Sequence, residues 1–128
     1  MSLRTSFTGT GIAIVTPFNT DGTIDWASYK RLIQFWIEGK VEYLVVLGTT
    51  GESATVHGAE KQEVFSFVKN EVAGRLPIVA GIGGNDTNEV VRQFREFDLT
   101  GYDAILSVSP YYYISTNTLI CWNISIGI

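Results

Sequence analysis

The sequence predicts an α/β fold of parallel strands alternating with helices, on three observations. Four short apolar runs, Ile12–Val15, Tyr43–Leu47, Ile78–Ile82 and Ala104–Val108, are nearly continuous instead of alternating, as in strands buried on both faces. Each interval between them carries apolar residues at helical spacing. The strand-plus-helix unit recurs roughly every 30 residues, the length of a right-handed βαβ crossover.

Taken in order, the first strand is followed by a helix whose apolar face is Tyr29, Leu32, Ile33, Trp36 and Ile37, with Asp25 placed to cap its start and Gly39 to stop it. After the second strand, residues Ala59 to Val72 place Val64, Phe65, Val68 and Val72 on one face and end before Gly74. The third strand leads to a helix starting at Asp86 or Thr87. There Asp86 and Glu89 have capping-box spacing, and a stripe of Val90, Val91, Phe94 and Phe97 closes at Gly101. The fourth strand follows. This pattern leaves two architectures open, an open flavodoxin-like sheet and part of an eight-stranded barrel, which needs about 250 residues when complete.

With 128 residues, 45% of them hydrophobic, the chain has the material for one domain. The net charge is -4, and the nine basic residues are scattered without the stripe that would neutralise phosphates, so nucleic acid is not an expected partner. Cys121 is the single cysteine, which excludes an intramolecular disulfide and suits a reducing compartment. No apolar run approaches the roughly 20 residues that span a bilayer, so no membrane association is expected and the location is read as cytoplasmic. His57 is the only histidine, which excludes a multi-histidine metal site. It reads as a solvated residue near a helix start, and Glu60, Lys61 and Glu63 read as an exposed helix face.

In either architecture ligands sit beyond the carboxyl ends of the strands. After the second strand, Gly48-Thr49-Thr50-Gly51-Glu52-Ser53 offers hydroxyls and N–H groups for a carboxylate or phosphate, or forms a tight glycine-rich turn. After the third, Gly81-Ile82-Gly83-Gly84-Asn85 reads as a strand-to-helix turn whose glycines take unusual dihedrals. After the fourth, Ser109-Pro110-Tyr111-Tyr112-Tyr113 sets three aromatics in a loop, where at least one phenol is expected to be exposed or to touch a partner.

In this order, Gly11 to Phe18, Gly48 to Thr55, Val79 to Asn85 and Ser109 to Tyr112 resemble the dihydrodipicolinate synthase and N-acetylneuraminate lyase family of pyruvate-dependent class I aldolases, over about residues 7 to 112. The Thr-Thr pair and the Pro-Tyr-Tyr segment resemble its synthase branch; another 2-keto acid aldolase is the alternative within the family, and a flavodoxin-like anion-binding module the alternative outside it. The resemblance implies the first half of a (β/α)8 barrel, four strands with three intervening helices, and a lyase reaction. Pyruvate, held as a Schiff base on a lysine, would condense with aspartate semialdehyde on the path to diaminopimelate and lysine, with no metal and no other cofactor.

By position, the resemblance gives Thr50 the pyruvate carboxylate and gives Thr49 and Tyr112 a proton relay, Tyr112 reaching in from a neighbouring subunit of a homo-oligomer. It maps a lysine-inhibitor site onto Ser53, Ala54, Asn85, Glu89 and Tyr111, with Gly58 where the family often has histidine or lysine. Residues 113–128 depart from the family pattern, as a frameshift or premature stop would make them. The family's Schiff-base lysine and its fifth-strand tyrosine fall outside these 128 residues, and Lys30, Lys40, Lys61 and Lys69 are expected on helix surfaces or a helix end. The 128-residue chain is therefore expected to lack synthase activity. Its first and fourth strands are expected to keep open edges, which pairing with a second copy would protect.

Overall fold

The computed structural model describes residues 7–108. Four strands, β1 (Gly11–Ala13), β2 (Tyr43–Val46), β3 (Ile78–Gly81) and β4 (Ala104–Leu106), form one parallel sheet in the order β1-β2-β3-β4. Helices α1 (Trp26–Glu38), α2 (Gly58–Val72) and α3 (Thr87–Glu96) occupy the three crossovers.

The strand order decides between the two architectures. Right-handed crossovers that always step in one direction leave every helix on one face, whereas a flavodoxin-like sheet reverses direction and is covered on both. The register shows the first case. Ile12, Leu44 and Ile78 share one row and Val46, Ala80 and Ile105 another, all facing the helices, where they meet Tyr29, Ile33, Val64, Phe65, Val68 and Val72 in a single core. The arrangement is the first half of a (β/α)8 barrel.

The opposite face carries the row Ala13, Val45, Val79 and Ala104. No described helix covers it, and Val15 and Leu106 are 42% and 48% exposed. Helices thus cover one face of the strands, and apolar runs that read as strands buried on both faces suit a barrel lining, whose second face packs against other strands. Among the described residues, β1 and β4 each pair on one side only.

Each helix start has a local cause. Asp25 caps α1 by accepting from the Ser28 N–H at 2.9 Å. Glu60 in the first turn of α2 accepts from the His57 N–H at 3.1 Å, so the exposed His57 stands at that helix start as expected. Asp86 caps α3 through the Asn88 and Glu89 N–H groups. Glu89 does not reach back to complete a capping box; its carboxylate is taken by Arg92 and Gln93.

Helices α1 and α2 end before Gly39 and Gly74 as expected, and only the end of α3 departs. Gly39 keeps right-handed backbone and Lys40 takes the left-handed turn (φ 58). Ala73 (φ 49) and Gly74 (φ 72) share it after α2. Helix α3 stops at Glu96, five residues before Gly101, because Phe97 swings to extended backbone and packs its ring against Phe65 and Tyr102.

Candidate functional site

The chain leaves β2 through a strained residue. Leu47 is fully buried yet left-handed (φ 53), a conformation that costs a non-glycine residue on the order of 1 kcal/mol. Gly81 makes room for it: a Cβ there would lie 2.2 Å from the Leu47 carbonyl oxygen and 2.8 Å from the Gly48 nitrogen. A single 3-10 turn follows, Thr49–Gly51, closed by the Gly51 N–H on the Gly48 carbonyl and the Glu52 N–H on the Thr49 carbonyl.

The two glycines of this loop are not its left-handed residues. Gly48 is extended, and Glu52 takes φ 55. Gly51 is needed for proximity instead, since a Cβ on it would stand 3.1 Å from the Ile14 carbonyl oxygen. Above it, the buried Thr16 hydroxyl donates to the Gly51 carbonyl at 2.7 Å. Gly83 works similarly: it has no left-handed backbone, and a Cβ there would fall 2.9 Å from the Val108 side chain and 3.0 Å from its nitrogen. The unusual dihedrals expected at Gly81, Gly83 and Gly84 do not occur; Gly81 and Gly83 instead allow close approach of neighbouring backbone, whereas at Gly84 a Cβ would meet only the Val90 side chain at 3.5 Å.

Two hollows open at this end of the sheet. The smaller, about 50 Å³, is lined by Thr49, Gly48, Ser53, Gly83 and the ends of β2 to β4. Thr50 is exposed at the turn and does not line it. The larger, about 340 Å³, lies between α2 and α3 and shares Ser53 and Gly81 to Gly83 with the first. Ser53, Gly58 and Glu89 line it together, whereas Ala54 and Asn85 are exposed outside it. Tyr111 and Tyr112 lie outside the described residues.

Charge in the larger cleft is already engaged. Arg92 grips Glu89 through two nitrogens at 2.9 and 2.7 Å and reaches Glu96 at 2.7 Å. Those hydrogen bonds, with a further one from Gln93, hold the Glu89 carboxyl down at about 2. Lys61 lines this cleft as well, which reading it as part of an exposed helix face did not anticipate. Its spacing from Phe65, one helical turn on the same face, was the available signal.

The other lysines stand elsewhere. Lys30 pairs with Glu71 at 3.0 Å, Lys69 approaches Asp98 at 4.0 Å, and Lys40 is exposed beyond α1. No described lysine lines the hollow at Thr49. Among the described residues, no helix is long and apolar enough to cross a membrane.

Comparison with known proteins places this geometry. Residues 6–121 match the dihydrodipicolinate synthetase family, nine residues beyond the expected limit of 112. The 4-hydroxy-tetrahydrodipicolinate synthase of Flavobacterium psychrophilum is 50% identical over 107 residues, 84% of this chain and 36% of that one. The chain thus spans little over a third of the length of this relative. The crystal structure of dihydrodipicolinate synthase from Aquifex aeolicus superposes with a TM-score of 0.81 at 36% identity, over 89% of this chain and 39% of that one. The chloride-inhibited Acinetobacter baumannii enzyme, complexed with pyruvate, gives 0.77 at 38% identity, over 81% and 36%.

Proposed function

The chain belongs to the dihydrodipicolinate synthetase family, and from that membership we propose that it carries the carboxylate-binding part of a pyruvate site, in a protein that condenses pyruvate with aspartate semialdehyde. The observation that carries this reading is the Thr49–Gly51 turn, fixed at the carboxyl end of the sheet with Thr49 facing the hollow and Thr50 open to solvent. Thr50 holds the carboxylate through its hydroxyl and N–H. Thr49 relays protons, with Tyr112 contributed by a neighbouring subunit of a homo-oligomer. The cytoplasm is the location that suits such biosynthetic chemistry.

Schiff-base formation requires a neutral lysine amine that adds to the pyruvate ketone and expels water. None of the described lysines is beside the turn, so the reading assigns these residues substrate binding and proton transfer, not imine formation. The cleft lined by Ser53 and Glu89 is the place for the lysine-inhibitor site, to which Ala54, Asn85 and Tyr111 would contribute from its margin. Glu89 is ionised above pH about 2, which suits an ammonium ligand, but such a ligand competes with Arg92 for the carboxylate.

Titration of the isotopically labelled chain with pyruvate tests the reading. The amide signals of Thr49 and Thr50 are expected to move, and Thr50→Val to abolish the movement. Equal movement with inorganic phosphate, and none specific to pyruvate, would sink it in favour of a general anion loop.

A further inference from the structure

The reading above leaves open what holds the Thr49–Thr50 hydroxyls in place, and one residue outside the loop is built to do so. Thr16 lies three residues past β1 and is 3% exposed; apart from tyrosines it is the buried polar residue among those described. Its hydroxyl donates to the Gly51 carbonyl across 35 residues of sequence. The turn's own two hydrogen bonds, Gly51 to Gly48 and Glu52 to Thr49, fix its internal shape but not its position over the sheet.

The chain enters the turn through Leu47, whose side chain is held in the core, and leaves through Glu52, both left-handed non-glycine residues that favour other backbone conformations; among the described residues, the side-chain hydrogen bond to the turn itself comes from Thr16. Behind Thr16, the Tyr29 phenol is fully buried beside the same hydroxyl, and it makes no hydrogen bond of ordinary geometry. Thr16 therefore stands between the core and the turn, and its hydroxyl proton has one use.

We propose that Thr16 is the positioning residue of the Thr49–Gly51 turn, clamping the Gly51 carbonyl so that Thr50 presents its hydroxyl to a bound carboxylate and Thr49 keeps its hydroxyl at the hollow. The proposal rests on the pyruvate reading for the identity of the ligand, though not for the clamp itself. Thr16 is buried and touches no substrate; its effect passes through Gly51.

Three variants test it. Thr16→Val keeps the shape and removes the donor, leaving a buried carbonyl unpaired; Thr16→Ser keeps the donor. Tyr102→Phe removes a different buried bond, the 2.8 Å donation to the Phe65 carbonyl, and serves as a stability control. Pyruvate affinity, read from the Thr49 and Thr50 amide shifts, is expected to weaken about tenfold in Thr16→Val, as for loss of a buried hydrogen bond. It is expected to hold within about twofold in Thr16→Ser and Tyr102→Phe, the size of a neutral substitution. Parent-like binding by Thr16→Val, or equal weakening by Tyr102→Phe, overturns the proposal. If the parent itself does not bind pyruvate, the pyruvate reading fails and the clamp is judged without ligand: the Thr49 to Glu52 amides must shift and exchange faster in Thr16→Val but not in Thr16→Ser, and unchanged amides overturn it.

Discussion

Replacing Gly81 with alanine strikes a point where the backbones of two neighbouring segments meet with no space between them. The added Cβ would lie 2.2 Å from the Leu47 oxygen, 2.5 Å from its carbonyl carbon and 2.8 Å from the Gly48 nitrogen. All three atoms are backbone, so no rotamer change relieves the clash. Leu47 is already left-handed and fully buried, and moving it drags a core side chain. The expected loss is about 3 kcal/mol, the upper end of overpacking costs, and a melting temperature lower by roughly 10 °C for a domain of this size.

Gly11→Ala is the internal control. Its Cβ would fall within 2.0 Å of two Tyr43 ring atoms, a worse overlap on paper. The ring, however, lies on the face without helices and can rotate aside, so the cost is expected near 1 kcal/mol. Urea unfolding of both variants, compared at equal m, measures the difference. A Gly81→Ala loss below about 0.5 kcal/mol, the size of a neutral surface change, would refute the argument.

Two further outcomes are expected. Ala73→Gly should raise stability by roughly 0.5–1 kcal/mol, because Ala73 is exposed and left-handed at the end of α2 and glycine removes the steric cost; a lower urea midpoint would contradict this. Burial holds the Tyr29 and Tyr102 phenols well above the ordinary tyrosine value, so their contribution is intact below pH about 10 and is lost as pH rises from there towards the folded-state values. Tyr29→Phe should flatten that alkaline decline and cost little at neutral pH, since its hydroxyl has no ordinary hydrogen-bond partner; a steep decline unchanged in both Tyr29→Phe and Tyr102→Phe would contradict it.

The sequence showed the strands and helices because their signals are local. The four apolar runs lie on the four strands, and the α2 face of Val64, Phe65, Val68 and Val72 is fully buried as its spacing required. What covers a strand's second face is not local: Val45 and Val79 read alike whether a helix or another strand packs on them. Strand order, a property of the whole sheet, was needed to separate barrel from open sheet.

The candidate site was legible as a loop and obscure as a mechanism of support. Gly48 to Ser53 announced hydroxyls at a strand end, but Thr16, distant in sequence, gave no sign of its bond to Gly51. Glycines suggested left-handed turns, whereas Leu47 and Glu52 carry those and Gly51, Gly81 and Gly83 allow close backbone approach. Lys61 was grouped with Glu60 and Glu63 as exposed charge, because a cleft between α2 and α3 forms only when both helices dock.

The central claim is that the described residues hold a carboxylate-binding turn with no amine placed to form an imine. Incubating the chain with pyruvate and borohydride and then weighing it intact tests that claim most directly, because reduction fixes any imine as a secondary amine. The account predicts pyruvate-dependent shifts at Thr49 and Thr50 with no gain in mass. A pyruvyl adduct on Lys30, Lys40, Lys61 or Lys69 would contradict it.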